Sequence, residues 1–153
     1  MTTHGPQTPA YPLPDGSAIS TGAHKALDEL HAAQQKVGRV MAVVAAAAVR
    51  DILTGYDHDA PFDAAWLEVT EALGGTLFAS GAYWTAAGER RTFVDDLGDS
   101  DGETGVFGMN EWTPYLNETN REVWEPISER LANRDGCRVF RIDLAKAAAL
   151  SLD

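Results

Sequence analysis

Cysteine, basic side chains and long apolar runs are what this sequence has least of. Cys137 is the only cysteine. That excludes an internal disulfide and a cysteine-based zinc site, and makes a reducing cytoplasm the expected location. The longest apolar run, residues 40–49, is bounded by Arg39 and Arg50. It falls well short of the ~20 residues a membrane span needs and is expected to be a buried helix segment. The N-terminal stretch lacks a basic region followed by an apolar core, so no secretory leader is expected.

Lys and Arg number 12 against 23 Asp and Glu, a net charge of −11. Direct nucleic-acid binding draws on Lys and Arg to neutralise phosphates, and anionic membranes are met by polybasic runs; neither role is expected. Residues 51–103 hold two basic and twelve acidic side chains, so nearly all the acidity lies in the middle third. Nine of the twelve basic residues are Arg and twenty-four residues are Ala, a bias toward GC-rich codons that points to a bacterium or its virus.

Pro6, Pro9, Pro12 and Pro14 fix φ and remove amide donors, so residues 1–16 read as an extended or disordered arm and residues 17–153 as one domain. Hydroxyls within residues 17–20 are expected to cap a helix over residues 23–53. Leu27, Leu30, Val37, Met41 and Val44 recur at helical steps and form one narrow stripe, interrupted by Gln34. Gly38 in its middle leaves open one helix or two. Alternation predicts strands near residues 64–72, 82–85 and 91–94, and most clearly over 138–144, where Phe140 and Ile142 oppose Arg141 and Asp143. Residues 95–105 read as an acidic, glycine-rich loop, and residues 110–134 as a helix carrying Trp124, Ile127 and Leu131. The expected class is α+β: an N-terminal helical region, a small antiparallel sheet of about four strands, and a second helix before the last strand.

No G-x-S-x-G turn and no glycine-rich phosphate loop with Lys-Ser/Thr occurs. Setting Gly102 at the sharp turn of a calcium loop puts Leu97 and Gly108 at ligand positions, and His58 has no second His or Cys beside it, so neither metal nor cofactor is expected. The aromatics Trp66, Tyr83, Trp84 and Trp112 are candidate binding residues, because large rings often anchor recognition. Tyr83 and Trp84 are adjacent on a strand, so only one of them can face a one-sided core. Asp95, Asp96, Asp99 and Asp101 are the candidate acidic surface.

The expected role is therefore a non-catalytic cytoplasmic module that binds another protein. One alternative is an acidic decoy filling the basic groove of a nucleic-acid-binding protein. Another is a small hydrolase using carboxylates near His58. The stripe Leu27, Leu30, Val37, Met41 and Val44 also predicts a homo-oligomer, since a narrow apolar seam suits two-helix packing. Light scattering at micromolar concentration should return a dimer or larger; a clean monomer removes this expectation.

Overall fold

The computed structural model describes residues 10–153. The chain divides into two units, Met1–Ala32 and Ala33–Asp153. The expectation of an arm over residues 1–9 lies outside the described residues.

In the first unit, residues 10–15 are exposed and outside helix or strand, and helix α1 (Gly16–Thr54) begins at Gly16. The start is set by Asp15 rather than by a hydroxyl within residues 17–20. Its Oδ2 accepts from the Ser17 amide at 3.1 Å, and its carbonyl accepts from the Ile19 amide at 3.0 Å. A carboxylate there satisfies amides that have no partner inside the helix. Residues 16–32 are exposed throughout, Ile19, Leu27 and Leu30 included.

In the second unit α1 continues without a break through Gly38. A Cβ on Gly38 would lie 2.8 Å from the Cβ of Asn120. Glycine here is a place of close approach, which resolves the choice between one helix and two. Asn120 Nδ2 donates to the Gln34 carbonyl at 3.3 Å and to the Tyr115 carbonyl at 2.8 Å, and Gln35 Nε2 donates to the Thr119 carbonyl at 3.0 Å.

The sheet has five strands: β1 (Trp66–Glu71), β2 (Leu77–Trp84), β3 (Arg90–Thr92), β4 (Ser128–Arg134) and β5 (Cys137–Asp143). Their order is β3-β2-β1-β5-β4, and every neighbouring pair is antiparallel. The α+β class stands, but β4 replaces the end of the helix expected over residues 110–134. That segment contains short 3-10 turns and the single-turn α4 (Arg121–Trp124) before the strand starts. β4 lies at the sheet edge with only Ser128 and Leu131 half-buried, so it carries almost no alternating apolar signal.

One sheet face, with Leu67, Val69, Tyr83, Phe140 and Ile142, packs in a core with Ala42, Ala45 and Val49 of α1. Trp124 meets Phe140 edge-on, with centroids 5.3 Å apart, inside the same core. The second face bears Trp66, Glu68, Trp84, Val139 and Arg141, as the alternation and register require.

The acidic stretch expected as a loop is two helices, α2 (Phe93–Leu97) and α3 (Asp99–Met109). Thr92 Oγ1 accepts from the Asp95 amide at 3.2 Å to cap α2, and Gly98 at φ +90° turns the chain into α3. The carboxylates then fall in first turns, where the helix dipole favours negative charge. Glycine serves contact rather than flexibility: a Cβ on Gly102 would lie 2.5 Å from the Cα of Val94, and one on Gly105 3.0 Å from Ile52 Cγ2. Helix α5 (Leu144–Ala148) closes the chain, capped by Asp143 accepting from the Lys146 amide at 3.1 Å. Among the described residues no helix is long and apolar enough to cross a membrane.

The contrast along α3 is testable. Gly102→Ala should destabilise by about 1–3 kcal/mol through collision with backbone. Gly108→Ala, with open space at its Cβ, should hold or gain up to ~1 kcal/mol of helix propensity. Thermal melts of the two variants should move in opposite directions or differ by several degrees.

Candidate functional site

Glu68 is fully buried on the second sheet face, although simple alternation makes it look like a solvent-facing strand residue. Between the pairs Leu67–Tyr83 and Val69–Ala79, β1 contributes Glu68 alone while β2 contributes Ser80, Gly81 and Ala82. This bulge, with Gly81 at φ +97°, carries Ser80 over Glu68. Ser80 Oγ donates to Glu68 Oε2 at 2.5 Å, Arg90 donates to both carboxylate oxygens at 3.0 and 2.9 Å, and Arg134 donates at 2.9 Å. Burial pushes the Glu68 pKa up, but the hydrogen bonds from Arg90, Arg134 and Ser80 outweigh it and hold the group at about 2. A carboxylate so saturated with donors is no proton donor or nucleophile at neutral pH; it is an anchor.

Trp66 and Trp84 sit opposite one another on β1 and β2, and the Arg141 guanidinium lies 4.4 Å from the Trp66 ring centroid and 5.0 Å from that of Trp84. Arg141 also donates to Glu129 at 2.8 Å. Both candidate rings are half-buried, and each is occupied by an internal cation. Tyr83 points the other way and is 4% exposed, packed on Phe93 with centroids 4.9 Å apart. It is a core residue, not a surface one, which corrects the expectation that it binds. Its hydroxyl donates to Asp96, and burial together with that carboxylate raises its pKa to about 12.

A different place brings three of the other candidates together. Between α1 and α3 lies an open groove of about 670 Å³. Its walls are Val44, Ala47, Ala48 and Ile52 from α1 and Gly105, Gly108 and Met109 from α3, with Leu97 and Trp112 completing the apolar surface. Asp51, Asp101 and Glu111 also line it, and no Lys or Arg does. Trp112 is 40% exposed there. The structure thus brings Asp101 and Trp112 together, and with them Val44 of the apolar stripe. Of the remaining stripe residues in this unit, Val37 is exposed and Met41 half-buried against the core. Asp95 and Asp99 are exposed outside the groove, while Asp96 is engaged by Tyr83 and, at 3.8 Å, by Arg91.

His58 Nε2 lies 3.2 Å from Asp51 Oδ1. No Ser, Thr or Cys hydrogen-bonds His58 among the described residues, and these residues contain no group of three metal-ligating side chains. A second cleft of about 480 Å³ is lined by Arg121, Arg130 and Arg138 with Glu118 and Glu125. There Arg121 is already committed to Glu71, Glu118 and Glu125 and stacked 4.8 Å from the Trp124 centroid. Ala47, Ala48, Gly105 and Gly108, which shape the α1–α3 groove, carry no chemical signature of their own. The helical i, i+3, i+6 spacing of Gly102, Gly105 and Gly108 is the signal that points to them once that stretch is recognised as helix.

The Glu68 anchor sets an acid dependence. Its pKa lies below the ordinary value of 4.5, so its contribution is present above that value and is lost as pH falls toward about 2. The contribution is on the order of 3 kcal/mol at neutral pH. Glu68→Gln should lower the melting temperature at pH 7 and show a shallower fall than wild type between pH 4.5 and 2; parallel curves would show that the anchor carries no such linkage.

No protein-family model, curated protein or solved structure matches this chain.

Proposed function

We propose that this chain is a non-catalytic cytoplasmic module that binds another protein, and that the α1–α3 groove is where the partner docks. The single observation behind this reading is an open, mainly apolar trough lined by Ala47, Ala48, Gly105 and Gly108 together with Trp112. Small residues let a second backbone come close, and Trp is one of the residue types enriched among the anchors of protein interfaces. The occupant is a helix. The groove's walls are helices whose amides and carbonyls bond internally, so no strand edge is on offer; a segment lying there must satisfy its own backbone hydrogen bonds.

Gly108 provides a clean block, because a Cβ built on it meets nothing within 4 Å and its backbone does not need a positive φ. Affinity capture from a lysate of the encoding organism should retain a protein with wild type and with Phe78→Ser, which alters the second sheet face, and lose it with Gly108→Trp. Retention by Gly108→Trp would remove the groove from the reading. Release of the captured protein by added duplex DNA, with binding that collapses in salt, would favour the acidic decoy instead.

A further inference from the structure

The groove's charge says more about its occupant than its shape does. Asp101 and Glu111 stand at the apolar surface, and neither has an ion-pair partner among the described residues. Asp51 is different, bonded by Arg50 at 3.0 Å and met by His58. Residues 93–111, which form α2, α3 and the turn after it, hold six carboxylates and no Lys or Arg. An acidic occupant would meet like charge beside an apolar surface, and a neutral one would gain nothing from these exposed carboxylates. A cationic one is drawn in and set in register.

Resting on the docking reading above, we propose that the groove selects a basic amphipathic helix: apolar side chains on the face that enters, Lys or Arg on the flanks beside Asp101 and Glu111. The α1 wall from Val44 to Ile52 rises about 12 Å, a little over two helical turns. Two or three apolar residues at i, i+4 and i+7 cover that length, and cations one position to either side fall at the acidic rim. The net charge of −11 supplies long-range attraction for any cation, but the groove adds the requirement that charge and apolar face sit on one helix.

The test uses the full chain and three labelled synthetic peptides of about 18 residues, followed by fluorescence anisotropy: a Leu/Lys amphipathic helix, the same composition scrambled, and a Leu/Glu amphipathic helix. The Leu/Lys helix should bind at least about tenfold more tightly than either other peptide at low salt. Its advantage over Leu/Glu should shrink toward parity as NaCl rises from about 0.05 to 0.5 M, where the screening length falls severalfold. Asp101→Asn with Glu111→Gln should remove most of that advantage with only a small drop in melting temperature, since Asp101 sits in the first turn of α3. Asp28→Asn with Glu122→Gln, which removes the same charge elsewhere, should leave the advantage in place. Equal binding of Leu/Lys and Leu/Glu helices, both blocked by Gly108→Trp, overturns the charge selection and leaves the groove reading standing. Equal binding of the scrambled peptide, unaffected by Gly108→Trp, means unspecific attraction to an acidic chain and overturns the proposal. Failure of all three peptides to bind overturns the groove reading with it.

Discussion

A buried carboxylate held by two guanidinium groups is the constraint around which the sheet is organised. Glu68 lies on β1, while Arg90 reaches it from β3 and Arg134 from β4, at opposite edges of the five strands. One ion group therefore ties the two edges to the middle. Removing either arginine strips donors from a fully buried carboxylate, which costs more than the net gain from forming the group, whereas the arginines themselves keep access to solvent. The arrangement gives the second face of the sheet a buried ionic centre, and Arg141 over Trp66 and Trp84 covers the two indoles beside it. Among the grooves of the described residues, the one with the most apolar lining lies in the helical layer, while Phe78 is exposed on this sheet face.

That layer is shaped by what its glycines permit. Gly102 lets α3 rest on the backbone of α2, and Gly105 lets it rest on Ile52 of α1. Gly108, further along the same helix, faces open space. The first two contacts set the spacing of the helices, and the third position leaves the trough unfilled. The carboxylates of α2 and α3 follow from the same economy of residue types: they suit helix N-termini, they keep an apolar surface soluble, and at Asp101 they border the groove.

The sequence speaks clearly where one face of an element is buried and the other is wet. β5 alternates, and α1 carries a helical stripe, so both are legible, as is the α+β class. Opposite orientation of Tyr83 and Trp84 follows from strand geometry alone, and the structure puts Tyr83 inside. Elsewhere local preference and tertiary contact disagree. Residues 95–105 have the composition of a loop, yet at Gly102 a methyl group would collide with the backbone of Val94, and at Gly105 one would press on the Ile52 side chain. β4 is an edge strand with Leu131 as its main apolar contact, so Trp124, Ile127 and Leu131 mimic a helical period that the chain abandons at Ser128. Glu68 is hidden for another reason. Its burial depends on an irregularity in β2 and on two arginines distant in sequence, and no local pattern reports either.

The bulge in β2 also governs which changes of length the chain can tolerate. It inserts two residues rather than one, so the in-and-out alternation of side chains is the same before and after it. Losing both would straighten the strand and close the space over Glu68, yet each later side chain would keep its side of the sheet. Losing one would exchange the sides: the Tyr83 ring would leave the core for the place beside Arg141, and the larger Trp84 indole would be driven against Phe93. Parity, not length, is what an insertion or deletion at this point must preserve.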